Sequence, residues 1–501
     1  MAQNRASAGG FACVLVGALK HCRKRPLEFL LLFIAVLSSQ VSASAQSIND
    51  ALAHFYTNSP TLKATQLGIS SQNEQGNQVF GGAMPQIDLG VAPSVSRTYG
   101  YPCASNFGDC PAFVNSGAVG VRLSVTQQVD LSGTIDAQID SAYLGLKSGW
   151  TAYRAQEQAL LLEAINAYVG VITSQAVESL NRASVSVFLR RRDEAQRRFD
   201  AGLGTGTEVA NFEAAFQGEQ ARLRLAVGNS EVAEAEFRRI FGRDPSGLAF
   251  PATIANMPRT LDHAIDRAMR GDPALSQAEQ ALSAAELDIV AAKASNGPSM
   301  ALSARADHSQ DLLRNSGDYN TSFSIGGQIS VPLYQGGAGV SRVRQAEIDR
   351  DTAQAQLLAQ RESTRANVIS AWNNLQAQEA SLDSFVSQIT AAELAVRSAA
   401  AELEAGVGTA LAVLTAEKDL TSAQVNLSST RSAQVVASYV LLQAMGDLTA
   451  EKMQLPVDGP YFRPDDDFET RKVDNIASDL FLDHERATAT PSFLRWLYND
   501  Q

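Results

Sequence analysis

The chain contains itself twice. Ile48–Asn49–Asp50–Ala51–Leu52, with Pro60–Thr61–Leu62 downstream, returns as Leu261–Asp262–His263–Ala264–Ile265 with Pro273–Ala274–Leu275. Further on, Ala201–Gly202–Leu203–Gly204–Thr205 returns as Ala405–Gly406–Val407–Gly408–Thr409. A repeat of roughly 200 residues is far longer than the unit of a stacked solenoid, so the sequence predicts two similar halves. The order within each half reads as helix, strand, loop, strand, very long helix, glycine turn and returning helix.

The front of the chain reads as an address. A basic block (Lys20, Arg23, Lys24, Arg25) precedes an apolar run from Phe29 to Leu37, and Ser42, Ala43, Ser44 and Ala45 supply a small-residue cleavage site. The expected organisation is therefore a signal peptide at 1–45, a first repeat at 46–257, a second at 258–450 and an acidic tail at 451–501. Cys13 and Cys22 do not follow the pattern of a lipoprotein signal. Cleavage removes Arg5, Lys20, Arg23, Lys24, Arg25 and Glu28 and leaves 36 basic against 52 acidic side chains, a formal charge of −16. That balance argues against a nucleic-acid partner. No later apolar segment is expected to approach 18 residues, so any membrane crossing should be a β-barrel, the other structure that satisfies all its backbone groups in lipid.

Period-two alternation follows the first helix of each half. Ile87, Leu89, Val91 and Val95 alternate with Gln86, Asp88, Ser94 and Ser96; Val119, Val121, Leu123 and Val125 alternate with Gly120, Arg122, Ser124 and Thr126. In the second half Met300, Leu302, Ala304 and Ala306 alternate with Ala301, Ser303, Arg305 and Asp307. Phe323, Ile325, Ile329, Val331 and Leu333 then alternate with Ser322, Ser324, Gln328 and Ser330. Such segments are strands with two unlike faces, and at about 10–14 residues each can cross a hydrocarbon layer when tilted. A soluble sheet with one buried face would also alternate, but it does not explain a small, polar opposite face on an exported chain.

A first helix is expected over 47–79, and each second strand should lead into a helix of about 133–199 or 338–403. At ~1.5 Å per residue such helices are on the order of 100 Å long, which only a coiled bundle can accommodate. Leu161, Ile165, Tyr168 and Ile172 mark one apolar stripe. Val368, Trp372 and Leu375 mark the other, which is spoiled by Glu379; Ala391, Ala392, Ala395 and Ala399 would permit close helix approach. Gly202–Leu203–Gly204 and Gly406–Val407–Gly408 should stop these helices through left-handed glycine. Thr205 or Thr207, and Thr409, should start the returns over 207–241 and 409–445. The first half has nine extra residues between its strands, in a loop over 99–117 that carries Cys103 and Cys110. In an oxidising compartment their six intervening residues allow a small disulfide loop, with two free thiols as the alternative.

Catalytic features are not apparent. His54, His263, His308 and His484 are scattered, and there is neither a phosphate-binding Gly-x-x-x-x-Gly-Lys nor a nucleophile motif. No enzyme activity, metal or cofactor is expected.

Two segments carry a family resemblance. Val331–Pro–Leu–Tyr–Gln–Gly–Gly337, followed by Gln345–Ala346, resembles the strand-to-helix motif of the TolC-like outer-membrane efflux proteins. Glu404–Ala–Gly–Val–Gly–Thr–Ala–Leu–Ala–Val–Leu–Thr–Ala–Glu417 is similar to that family's second tip. The resemblance spans about 47–450. It implies an α+β duct: a homotrimer with four strands per chain in one twelve-stranded transmembrane barrel, lipid on the odd-numbered strand face, and long helices forming a periplasmic tunnel. It further implies an exit duct for efflux or type I secretion, with a periplasmic adaptor and an inner-membrane transporter of ABC or RND type as partners. Gly202, Gly204, Thr205, Gly406, Gly408 and Thr409 would be the adaptor-docking turns. The family's paired tip aspartates fall at Ala412 and Thr415, and in the first half the matching acid is Glu208, so these three are the candidate constriction. Arg190, Arg191, Arg192, Arg197 and Arg198 before the first tip read as a solvated face, with pairing to neighbouring helices as the alternative. A trimeric coiled-coil stalk or adhesin without transport activity is the competing class, although such proteins carry their strands in one terminal anchor.

Overall fold

A computed structural model of the chain describes residues 47–99, 113–251, 254, 257–311, 319–457 and 459–462. The expected signal segment, Cys103, Cys110, His484 and the residues beyond 462 lie outside the described residues. Residues 246–249 group apart from the others, and the unit described below is 47–245 and 250–462.

The first expected helix is two helices, α1 (Ile48–Asn58) and α2 (Pro60–Gly82). Ser59 breaks it, because a residue before proline is driven from helical to extended backbone. Its φ of −69° and ψ of 119° end α1, and its side chain accepts the Leu62 N–H to start α2. The second half repeats the device with a different residue. Asp272 ends α5 (Leu261–Gly271) and caps α6 (Pro273–Ala294), accepting the Ala274 N–H.

Strands β1 (Gln86–Tyr99) and β2 (Phe113–Val129) form one antiparallel hairpin, and β3 (Ser299–Asp311) and β4 (Tyr319–Ser330) form another. β2 pairs with β3, giving a four-stranded sheet of order β1-β2-β3-β4. Two expectations need adjusting. β2 begins at Phe113, inside the expected loop, and its 17 residues exceed the anticipated length. β4 stops at Ser330, short of Val331 and Leu333, because Pro332 has no N–H to continue a ladder.

Register fixes the faces. Ile87, Leu89 and Val91 stand opposite Val125, Leu123 and Val121, which stand opposite Ala304, Ala306 and His308, and these face Ile325, Phe323 and Thr321. The apolar face is thus odd-numbered on β1, β2 and β4 but even-numbered on β3, which corrects the simple odd-face rule. It is open to the surroundings, with Val95 82% and Ile325 75% exposed. At its loop end Tyr99 lies 6.0 Å from Phe113, Arg97 sits over the Phe113 ring at 4.4 Å, and His308 and Tyr319 are 6.1 Å apart. An aromatic girdle bounding an apolar band is the signature of a lipid-facing barrel wall.

Two helical hairpins extend from the sheet: α3 (Thr134–Asp200) with α4 (Gly206–Phe241), and α7 (Ala338–Glu404) with α8 (Ala410–Ala444). α3 and α7 are both 67 residues long and start at left-handed glycines, Gly133 and Gly337. Leu161, Ile165 and Tyr168 are fully buried, with Tyr168 and Phe241 flanking Phe237 in the core. Residues of α3 also give the chain a helix long and apolar enough to cross a membrane, contrary to the expectation that none would. Its buried side chains pack against the chain's own helices, as a core helix does. In α7 the seam is Ala353, Leu357, Thr364, Val368, Ala371 and Leu375, so Ala371 rather than Trp372 takes the inward position. Beyond Leu375 no α7 residue is buried, whereas the matching part of α3 buries Asn181, Ser184, Phe188 and Ala195.

Candidate functional site

Each helical hairpin ends in a turn whose geometry follows from two glycines. Gly202 (φ 73°) and Gly406 (φ 75°) adopt the left-handed conformation that releases the chain from the helix. The Leu203 N–H donates to the Arg198 carbonyl at 2.8 Å, and Val407 repeats this with Glu402 at 3.0 Å, closing the helix ends as Schellman turns. Gly408 is required by space, since a Cβ there would lie 2.8 Å from the Leu403 nitrogen, whereas a Cβ at Gly204 would make a tight contact, 3.3 Å from the Phe199 nitrogen. Leu203 and Val407, held between the glycines, are 74% and 80% exposed. Each turn thus displays one apolar side chain.

Thr205 and Thr409 are the N-caps of the returning helices, which settles the choice between Thr205 and Thr207. Thr205 Oγ1 accepts the Glu208 N–H at 3.2 Å, and a Glu208 carboxylate oxygen accepts the Thr205 N–H at 3.0 Å, a complete capping box. Thr409 accepts the Ala412 N–H at 3.2 Å with no acid to reciprocate. Glu208 and Ala412 therefore occupy equivalent third positions of their helices, and Ala412 and Thr415 are exposed. Behind the turns, Phe188, Ala195, Phe212, Ala215 and Phe216 from α3 and α4 pack with Ala410 and Leu414 from α8, joining the two hairpins.

The arginine segment is not a uniformly solvated face. Arg191 reaches Glu417 of α8 at 3.1 Å, and Arg192 lies 3.7 Å from Glu213 of α4 while its guanidinium covers Phe216 at 4.9 Å. Arg190 and Arg197 are exposed. Among the described residues, no group of three His, Cys, Asp or Glu side chains is placed to hold a metal; His54, His263 and His308 lie on α1, α5 and β3.

Two carboxylates were not found by sequence reasoning. Asp130 follows β2 and accepts the backbone N–H groups of Ser132, Gly133, Thr134, Ile135 and Asp136 at 2.8–3.2 Å. Burial acts to raise its pKa, but these donors outweigh it and hold the carboxyl below the usual carboxylate range. The equivalent position in the second half is Tyr334, 88% exposed. Glu157 is buried in α3 and accepts the Ala450 N–H at 2.9 Å, tying down the segment that follows α8. Its pKa is pushed up to about 7, chiefly by burial and also by Glu451, against the Ala450 hydrogen bond and Arg154. Lone carboxylates carry no motif; only the turn composition after Asp130 offered any signal.

A sheet with one exposed apolar face and one polar face, feeding two long hairpins with glycine tips, defines a TolC-like outer-membrane channel. The chain belongs to the outer membrane efflux protein family, which it matches over residues 51–243 and 264–447. It is 27% identical over 456 residues to the outer membrane efflux protein BepC of Brucella suis, covering 90% of this chain and 96% of that one. It is 26% identical over 436 residues to the outer membrane protein TolC of Vibrio cholerae, covering 85% of this chain and 96% of that one. Its fold is similar to that of the CmeC outer membrane channel of Campylobacter jejuni, with a TM-score of 0.71 and 14% identity over 85% of this chain and 89% of that one. The chain is accordingly an outer-membrane protein of the efflux and secretion class.

Proposed function

We propose that three copies of this chain form a passive exit duct of a tripartite efflux or type I secretion system. The observation that carries this reading is the sheet itself. β1 and β4 are its edges, and neither has a second strand partner among the described residues. Their outward apolar side chains belong in lipid, where an unpaired strand edge cannot persist. Four strands are also too few to enclose a lumen, and three copies supply twelve. The outer half of α7, with Val386 and Leu394 exposed, gains partners in the same assembly.

In this reading the helices form the periplasmic tunnel. The turns at Gly202, Gly204, Thr205, Gly406, Gly408 and Thr409 dock a periplasmic adaptor, with Leu203 and Val407 as the apolar contacts. An inner-membrane transporter of ABC or RND type supplies the energy, and the chain itself is not an enzyme. Glu208, Ala412 and Thr415 line the entrance. The test is reconstitution of the purified protein into planar bilayers. Heat-resistant trimers that conduct ions support the duct; a non-conducting fibre would support a stalk or adhesin instead.

A further inference from the structure

The polar face of the sheet carries four of its charges in two adjacent rows, and a fifth, Asp311, stands opposite Ala118 nearer the loop end. Across β1, β2, β3 and β4 the register reads Gln86–Thr126–Ser303–Gly326, then Asp88–Ser124–Arg305–Ser324, then Gly90–Arg122–Asp307–Ser322, then Ala92–Gly120–Ser309–Asn320. Every ionisable residue of these four rows lies in the middle two, and the rest are small or neutral. The Arg122 Nε donates to Asp307 Oδ1 at 2.6 Å across the β2–β3 pair. Arg305 and Asp88 are exposed and have no ion-pair partner among the described residues.

Reach decides which sign a passing solute meets. An aspartate carboxylate hangs one methylene from the backbone, whereas a guanidinium sits beyond three methylenes. On a wall of Gly, Ala and Ser an arginine that is not paired to the wall therefore projects past its neighbours, while the aspartates stay near the strands. The four charges of the two rows sum to zero per chain and Asp311 adds one negative charge beyond them, yet the unpaired Arg305 reaches farthest from the wall. Asp307 holds Arg122 along the wall, leaving Arg305 as the free cation. A wall of low dielectric around a water-filled lumen focuses the field of such a group.

We infer that Arg305, with Arg122 held beside it by Asp307, forms a cationic collar inside the barrel that sets the ion selectivity of the exit and retards solutes bearing carboxylate or phosphate groups. The collar rests on the trimeric-duct reading above, since only a closed barrel turns this face into a lumen. Asp88, on the same row as Arg305, moderates its field.

The experiment uses the full-length protein in planar bilayers under a potassium chloride gradient. Arg305→Ser, which matches the surrounding wall, and Arg305→Gln, which keeps the length, each lower the chloride-to-potassium permeability ratio on the order of threefold. Asp307→Ser frees Arg122 and shifts the ratio in the opposite direction. Inositol hexakisphosphate added from the barrel side blocks the unmodified channel and blocks both Arg305 variants more weakly. Conducting trimers in which neither Arg305 variant moves the reversal potential or the block would overturn the collar and leave the duct intact. Absence of conduction from the unmodified protein would overturn the duct and the collar together.

Discussion

Glu157 is a residue whose protonation the fold controls directly. Its 5% exposure leaves the carboxylate poorly solvated, and the Ala450 N–H only partly compensates. An ordinary value of 4.5 raised to about 7 means that the folded chain holds this proton more tightly than the unfolded chain does. The associated stabilisation is complete below about pH 4.5 and is lost as pH rises through about 7, a change on the order of 3 kcal/mol. Glu157→Gln keeps an acceptor for Ala450 and removes the titration. Thermal unfolding between about pH 5 and pH 8 should then show a flatter pH dependence than the unmodified chain. An unchanged profile would place the proton elsewhere. At the tips, the Glu208 carboxylate is committed to its own helix start, and the equivalent Ala412 carries no charge. Introducing Ala412→Asp together with Thr415→Asp should raise the cation selectivity of single channels. No change would mean that these positions do not line the constriction.

Elements depend on a few local devices, and these explain what could and could not be read beforehand. The strands are legible at Ile87, Leu89 and Val91 because a membrane wall forces apolar alternation on its outer face. The even-numbered apolar face of β3 is likewise legible at Met300, Leu302, Ala304 and Ala306, and only its alignment with the odd-numbered faces of β2 and β4 requires the cross-strand register. The break at Ser59 is signalled by Pro60, yet α1 and α2 look continuous by composition. A Gly-x-Gly pair marks both tips, since left-handed backbone demands glycine at 202 and 406 and a close approach demands it at 408. Asp130 is hidden because five backbone donors converge on it only after β2 has turned into α3. Asp130→Ala should cost about 1–2 kcal/mol and fray the start of α3, readable as faster amide exchange over Thr134–Ala137. Equal exchange would show that water replaces the cap without loss. Gly446 closes α8 at φ 73°, and a Cβ there would lie 1.9 Å from the Gly271 carbonyl oxygen. Gly446→Ala should therefore destabilise the chain by more than 1 kcal/mol, roughly, through strain and displacement of α5. Denaturant unfolding measures it, and a neutral result would contradict this packing.

At the scale of the whole molecule, the duplication supplies two hairpins, two strand pairs and two tips, but the halves are not equivalent. The first half carries the capping box, the Asp130 cap and a long helix buried along much of its length. The second carries a neutral tip and a long helix whose outer half buries nothing within the chain. That unburied half is where further copies should pack. Val386→Asp with Leu394→Asp should weaken the trimer toward heat while leaving the fold of the monomer intact, as followed by mass photometry and circular dichroism. Retention of full trimer stability would remove these residues from the interface.

Closure of the barrel by neighbouring copies is the claim on which the functional reading stands. It can be tested by disulfide trapping in a background with Cys103→Ser and Cys110→Ser. Leu89→Cys on β1 is combined in turn with Phe323→Cys, Ile325→Cys or Gly327→Cys on β4, so that the unknown inter-chain register is sampled. The account predicts that at least one combination gives a reducible ladder ending at three covalently joined chains. Cross-links confined to single chains, or a ladder extending without limit, would contradict it.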